Sequence, residues 1–547
     1  MADLRDGPER EAAPSFSKRR SLAWMGLCQG GLFLAQFGTS LALARLLSPY
    51  ETGIFSLAAA MAGLLSTLRS CGLSSYIVRA ERVDAALLAS VFTVNLILSG
   101  TTAVLILGLS VFGSLLLGEP EVQRALAILA VVPLVGALEF RPAAMIERQG
   151  NFRAVALVNM LRGLVASGTM LVLAILGFSY MSQAYGQAAG AVAAALAANS
   201  LGFRYVSLRV GHTGWRQILT YGSRLFAIAG VAGIAARFCD LILGRMLGLS
   251  ALGLFSRAAS LNTLMWDHLH AVITRIVFVD LANQQRQGRS LRASYLATLR
   301  MITVLLWPAF AGAAVLAGPI IRLLLGPGWA GAALPFSFLS IAALVLSSLT
   351  MTWEVFLIRD QTALQARLEI VRNGVSLVAF AVGCIFGLGG AGLARIGDAL
   401  LAVGLYRPHL ERMTDTFGRD YVPIYLHAAG VTVIAVLPSV LVMAAWGWSA
   451  ATPLPSLAAA IALGIAGWAC GLRYLRHPLI EEAHLLLSRL RLFRRAAIVP
   501  EALASPSGAV PAPCRRARPR RDRPACASSG PGAIWSPTKV RRTSRDG

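Results

Sequence analysis

Residues 43–59 read LARLLSPYETGIFSLAA and residues 243–259 read LGRMLGLSALGLFSRAA, so the chain repeats itself there without a gap. Leu43/Leu243, Arg45/Arg245, Leu47/Leu247, Gly53/Gly253, Phe55/Phe255, Ser56/Ser256, Ala58/Ala258 and Ala59/Ala259 coincide. Low complexity alone does not bring Arg, Gly, Phe and Ser into one register. A second anchor supports duplication, because Leu115, Leu116, Leu117 and Gly118 align with Leu323, Leu324, Leu325 and Gly326 at a slightly longer offset, as one loop insertion would produce. A duplicated membrane chain points towards transport, since transporters are commonly built from repeats with the substrate path between them.

Outward from the repeat, the chain is 56% hydrophobic and 14% charged, whereas a soluble domain carries about 25% charge. Its mean hydropathy is +0.65. Apolar stretches of about 20 residues, the length that crosses ~30 Å of hydrocarbon, recur almost without pause. Fourteen are read, over 21–44, 53–77, 87–117, 125–146, 154–177, 182–203, 218–244, 251–278, 297–325, 332–358, 368–388, 390–406, 421–446 and 453–475. The third and ninth are long enough to tilt or to project beyond the bilayer. The expectation is an all-α integral membrane protein with about 14 transmembrane helices. Residues 1–20 are polar and no convincing cleavage site follows, so no cleavable signal peptide is expected.

Arginine sets the orientation, because positively charged loops stay cytoplasmic. Lys18, Arg19 and Arg20 precede the first stretch, and every second loop is basic: Arg79 and Arg82, then Arg141, Arg148 and Arg153, and so on to Arg407, Arg412 and Arg419. The intervening loops are short and nearly uncharged. Both termini are therefore expected in the cytoplasm, and the helix count even. The net charge of +24 would suggest nucleic acid in a soluble protein. Here the inside loops and the tail account for it, anionic lipid headgroups are the natural partner, and no nucleic-acid partner is expected. The seven cysteines are scattered without metal-ligand spacing and are expected neither to pair nor to bind metal. Residues 481–495, EEAHLLLSRLRLFRR, alternate leucine and arginine faces as an interfacial amphipathic helix would. The tail from residue 497, with RRARPRRDR at 515–523, cannot bury a core and is expected to be disordered.

Enzymatic signals are missing: there is no phosphate-binding loop, no H-E-x-x-H, and no external loop long enough to form a catalytic domain. No cofactor is expected. What remains is polar residues at membrane depth, which cost roughly 2.5–3.5 kcal/mol each on insertion scales and so face a cavity or a partner. The seventh stretch holds Arg224, Arg237 and Asp240; the eighth holds Arg257, Asn262, Asp267 and Arg275. Asn159 and Arg162 share a face of the fifth, and Gln29 and Gln36 are two turns apart in the first. Later stretches add Glu354, Arg372, Arg395 and Asp398. Arg237/Asp240 and Arg395/Asp398, each three apart, read either as functional or as self-neutralising pairs. Arg69, Arg224, Arg275 and Arg372 lie near predicted cytoplasmic ends and are expected to snorkel, while His268 and His270 are expected at interfaces or facing lipid. Arg257 stands out because its repeat-mate is Leu57, so one half alone carries a cation there. A cavity rich in Arg suits a phosphate-bearing substrate, and Asn, Gln, Ser and Trp suit a hydroxyl-rich one. A sugar attached to a lipid phosphate answers both descriptions.

These residues resemble the polysaccharide transporter family of bacterial flippases, the Wzx-type members of the MOP superfamily, which also contains the MATE antiporters and the lipid II flippase. The resemblance is carried by residues 43–79, by ERQGNFRAVA at 147–156, by YGSRLFAIAGVAGIAARFCDLILGRMLGLSALGLFSRA at 221–258 and by LLLGPGWAGAALP at 323–335. It implies two six-helix bundles facing each other in a V, at 21–205 and 218–407 with a linker at 206–217, followed by two further helices within 408–475. The segments left over are 1–20, 476–496 and 497–547. It also implies movement of a polyprenyl-pyrophosphate-linked oligosaccharide between leaflets, alongside a polymerase and export machinery. By position, Asp240 and Arg245 match the family's D-x-x-x-x-[GR], and Arg257 falls within its G-L-[YF]-S-x-A. Arg69 departs from the small or acidic residue common before C-G-L. The expected cargo site is then Arg237, Arg257, Arg162, Asn159, Gln29, Gln36 and Asn262, with Asp240, Asp267, Glu354 or Asp398 coupling an ion. The rival readings are a MATE-like small-molecule antiporter, against which the Arg excess argues, and a non-transporting component of an assembly complex.

Overall fold

The computed structural model describes residues 16–474 apart from 68, 70–71, 81–82, 118, 208, 213 and 287–289; side chains are described from residue 30 onward, except at 75, 79, 113–117, 221, 223–229, 231–232 and 270–286. The expected amphipathic helix at 476–496, the segments 1–15 and 497–547, and the side chains of Gln29, Arg224, His270 and Arg275 lie outside the described residues.

The chain runs through α1 (Phe16–Leu46), α2 (Pro49–Thr67), α3 (Leu73–Arg79), α4 (Ala85–Leu117), α5 (Pro120–Leu129), α6 (Val131–Arg148), α7 (Phe152–Ile175) and α8 (Met181–Leu201). It continues with α9 (Trp215–Leu247), α10 (Leu249–Arg286), α11 (Arg292–Val315), α12 (Ala317–Leu324), α13 (Ala333–Leu346) and α14 (Thr352–Ile358). The last four are α15 (Thr362–Ile385), α16 (Gly387–Thr414), α17 (Gly418–Ala445) and α18 (Leu454–Tyr474). No strand occurs among the described residues. Each of the fourteen apolar stretches falls on one helix or on two in succession, and nine segments among the described residues are long and apolar enough to span a bilayer. The protein is an all-helical, multi-pass membrane protein.

Where a stretch is broken, local chemistry explains the break. The second divides into α2 and α3 before Gly72, whose φ of 60° suits a residue without a β-carbon. The ninth, expected as one long helix able to tilt, is instead α11 and α12 meeting at Leu316. The third stays whole as α4, 33 residues long.

The helices of the first half bundle through α1 on α7 and through α6 and α7 on α8, while α2 lies mainly on α10 and α9 of the second half. Those of the second half bundle through α9 on α15 and through α13 and α15 on α16; α17 leans on α11, and α18 on α17. Lipid supplies no hydrophobic force between helices, so close packing depends on small residues. The α7–α8 contact sets Gly186 and Gly190 against Ala166 and Met170, and Gly383 faces Gly390 where α15 turns into α16.

Candidate functional site

The two halves meet where α2 crosses α10, and at the crossing Gly53 and Ser56 of the repeat approach their own counterparts, Gly253 and Ser256. A β-carbon at Gly53 would collide with the Leu249 carbonyl, and one at Gly253 with the Pro49 carbonyl and, at 3.0 Å, the Gly53 nitrogen. One turn deeper, the hydroxyls of Ser56 and Ser256 share a hydrogen bond of 3.0 Å. The register read from sequence as duplication is thus a physical contact, with an approximate two-fold axis through it. Such a contact is self-complementary: what one half presents, the other receives.

The turns leading into the crossing differ. Ser48 and Glu51 form a capping box, with the Ser48 N–H donating to Glu51 Oε2 at 2.7 Å and the Glu51 N–H to Ser48 Oγ at 3.3 Å. Glu51 also accepts from the Ser179 hydroxyl. Burial alone would push its pKa up, but the bonds from Ser179 and Ser48 outweigh it and hold this carboxyl below its ordinary value. In the second half Gly248 makes the turn instead, at φ 86°.

Arg257 projects from α10 into the closed seam. It is 9% exposed. Its Nη1 donates to Ser40 Oγ of α1 at 3.1 Å, and its guanidinium lies 5.8 Å from the centre of the Trp329 ring, within cation–π range. Nε and Nη2 are enclosed with no hydrogen-bond partner. No carboxylate pairs with it among the described residues. Its repeat-mate Leu57 packs in the core beside Gly244.

Arg237 goes to a different place. Its Nε would lie 2.9 Å from a β-carbon on Gly63 of α2, and its Nη1 is 3.9 Å from Asp240 Oδ2, a loose pair. Arg237 and Arg257 therefore sit on separate contacts between the halves, one towards α2 and one towards α1. His268, a further contact, lays its ring against Phe33 of α1.

Inside the first bundle Arg162 pairs with Glu139 of α6. Arg69 does not snorkel as expected: its guanidinium abuts Gly136, and it acts electrostatically on Glu139 together with Arg162. The pull of a buried carboxylate inside the bundle outweighs the interface. Gln36 lies beside Gly163, next to Arg162, and Asn159 is exposed on α7.

Inside the second bundle a pocket between α9, α15 and α16 is lined by Cys239, Arg372, Asn373, Ser376, Arg395 and Asp398, among others. One expectation fails there. Arg372 does not snorkel but grips Asp398 with both ends of its fork, Nε to Oδ1 at 3.0 Å and Nη2 to Oδ2 at 2.9 Å. Of the two readings of Arg395 and Asp398, the self-neutralising pair is not made among the described residues, and Arg395 lies over the Phe380 ring at 4.7 Å. A neighbouring helix offered Asp398 a planar two-point partner, which spacing along one helix cannot match. Cys239 and Cys384 are buried free thiols. Asn262 donates to Ser340 of α13 at 3.3 Å and so ties α10 into its own bundle. Asp267 is exposed, Glu354 half-buried, and neither has an ion pair among the described residues.

Sequence reasoning passed over Ser40, Glu139 and Trp329. In the repeat register Ser40 corresponds to Asp240, which could have drawn attention to it; Glu139 was a lone acid in an apolar stretch; Trp329 lay within a quoted motif without a role.

Residues 42–334 match the protein family described as "Polysaccharide biosynthesis protein". The chain is 27% identical over 324 residues to the succinoglycan biosynthesis transport protein ExoT of Rhizobium meliloti (strain 1021), covering 57% of this chain and 63% of that protein. It is 21% identical over 305 residues to the lipopolysaccharide biosynthesis protein WzxC of Escherichia coli (strain K12), covering 52% and 59%. The chain thus spans about three-fifths of the length of these relatives. Among solved structures, a lipid II flippase, MurJ, in an inward closed conformation superposes with a TM-score of 0.65 at 12% identity, over 84% of this chain and 100% of that one. An inward-facing multidrug resistance MATE transporter of the MOP superfamily gives 0.54 at 16%, over 70% and 94%. At such identities the likeness is one of fold.

Proposed function

Since the chain belongs to the polysaccharide biosynthesis protein family, we propose that it is a flippase moving a polyprenyl-pyrophosphate-linked oligosaccharide from the cytoplasmic to the periplasmic leaflet of a bacterial inner membrane. Both termini are cytoplasmic, the basic loops rest on anionic headgroups, and a polymerase and export machinery take the product. The step is transport by alternating access rather than covalent chemistry. The names of the two relatives, one a transport protein for succinoglycan and one a lipopolysaccharide biosynthesis protein, support the class of cargo.

One observation carries the reading: Arg257, a buried cation of the seam with two unpartnered nitrogens and, among the described residues, no carboxylate paired with it. A guanidinium left in this condition is suited to an anionic ligand, because removing a charge from water without compensating bonds is expensive. The pyrophosphate is held by Arg257; Arg237, on its separate contact towards α2, meets the cargo at another point of its path, while Arg162 and Gln36 on the first bundle's side meet the sugar. The prenyl tail stays in lipid. An ion gradient drives reorientation through Asp240, whose partner is 3.9 Å away, rather than through Asp398, which Arg372 already neutralises.

The test is export in cells whose only copy is Arg257→Ala or Arg257→Lys, with membrane insertion measured in parallel. Losing charge-assisted hydrogen bonds of ~1.5–3 kcal/mol predicts about a tenfold or greater fall for Ala and a smaller one for Lys. Parental export by a fully inserted Arg257→Ala protein would show that the clamp is wrong.

A further inference from the structure

We propose that Ser40 and Trp329 are positioning residues that make cargo binding and closure of the seam mutually exclusive, by holding Arg257 where its phosphate-gripping edge cannot be reached. The proposal rests on the reading of Arg257 as the pyrophosphate clamp.

The guanidinium uses Nη1 on Ser40 and leaves Nε and Nη2 without partners. Those two nitrogens form the edge that offers two parallel N–H donors, the arrangement that grips a phosphate by paired hydrogen bonds. In the closed seam this edge is enclosed, so no phosphate reaches it.

Closure itself depends on the same group. The outer end of α1 is tethered to the opposite half by three hydrogen bonds. Arg257 donates to Ser40 Oγ at 3.1 Å, Trp329 Nε1 donates to the Ala44 carbonyl at 2.6 Å, and Arg45 Nη2 donates to the Leu323 carbonyl at 2.6 Å. Ser40 and Ala44 lie one turn apart on one face of α1. Arg257 is therefore caught between a hydroxyl and an indole that are both fastened to that face. To meet cargo with two donors it must leave them, and leaving removes one tether and the ring beneath it.

A ligand that prefers one of two states shifts the population towards that state, by no more than its differential affinity. Cargo accordingly favours the parted seam, and an empty transporter closes. Among the described residues the second half shows no equivalent device, because the position matching Ser40 is Asp240, which sits beside its own Arg237.

The full-length chain, with its native cysteines replaced by alanine and carrying Ser56→Cys and Ser256→Cys, reports closure in nanodiscs by the rate of disulfide formation under a mild oxidant. The parent hydroxyls are 3.0 Å apart. Undecaprenyl pyrophosphate is the probe, and its binding is measured separately. The expected result is slowing by the probe of at least ~5-fold, the lower end of ordinary coupling between sites. Ser40→Ala and Trp329→Phe slow cross-linking without the probe and leave it less than ~2-fold further effect, whereas Ser40→Thr, which keeps the hydroxyl, behaves as the parent. Probe binding with an unchanged cross-linking rate overturns the coupling and leaves the clamp standing. Binding that is absent, or indifferent to Arg257→Ala, overturns both. A reporter that does not cross-link at all overturns the closed seam.

Discussion

The hairpin α1–α2 and the hairpin α9–α10 descend from one sequence, and they differ in turn and in charge. The first is turned by a capping box on Ser48 and Glu51, the second by Gly248. Position 57 is a leucine in the core while 257 is a cation in the seam; 40 is a serine and 240 an aspartate; 37 is a phenylalanine and 237 an arginine. Yet 53 and 253 are both glycine, and 56 and 256 both serine. The difference follows distance from the two-fold axis. On the axis a residue meets its own counterpart, so both copies face the same restriction. Off it, Leu57 meets α9 and Arg257 meets α1, and each is free to answer a different neighbour.

Changes at the axis should break the comparison most. Gly53→Val drives a branched side chain into the Leu249 carbonyl, where overpacking costs upwards of ~3 kcal/mol because both partners are backbone. The expected outcome is loss of the closed seam and of export, read by cross-linking between positions 56 and 256. Gly253→Val should do the same, and a tolerant Gly253 would disprove the equivalence.

Leu57→Arg restores charge symmetry without restoring the neighbours. A second cation would then replace a core leucine beside Gly244, where Asp240, the counterpart of Ser40, already faces Arg237, at a cost of about 2.5–3.5 kcal/mol by insertion scales. Thermal stability in nanodiscs should fall by far more than in Arg257→Leu, which relieves an underserved cation and should match or exceed the parent in stability while failing to export.

Ser56→Ala and Ser256→Ala each remove the shared hydrogen bond, for about 1 kcal/mol. Ser256→Ala should cost somewhat more, because it also removes the bond from Ser256 Oγ to the Gly253 carbonyl at 3.0 Å, and the double variant should cost no more than Ser256→Ala alone, as a double-mutant cycle on thermal stability would show.

The smallest effect belongs to the turn. Glu51→Gln weakens the capping box and lowers the melting temperature slightly at neutral pH. Because Glu51 titrates below its ordinary value when folded, its contribution is present above the unfolded value of about 4.3 and is lost as pH falls through the lower folded one. The gap between parent and variant should therefore close in acid and persist at neutral pH.

The helices and the duplication were legible in the chain, since hydropathy over a bilayer's thickness and a shared register are properties of sequence. Breaks such as Leu316 were not, because two helices in one apolar run look like one long helix. Among candidate site residues, Arg257 announced itself through the mismatch with Leu57, which needs only an alignment of the two halves. The partners of the charges did not: Asp398 and Arg395 are three apart, yet Arg372 from another helix takes the carboxylate. Arg69 lay at a predicted helix end, yet it turns inward towards Glu139.

The sequence by itself determined that this is a duplicated bundle of membrane-spanning helices carrying arginines where arginine is costly, because burial in lipid imposes a length and a composition that no other fold requires. Only the tertiary structure decided which charges are satisfied. Spacing along a helix states which residues share a face, whereas neutralisation depends on what a different helix brings within hydrogen-bonding distance. The repeat showed that two halves exist; the crossing of Gly53 with Gly253 showed that they meet there, and that Arg257 is left beside the meeting point with an edge unfilled.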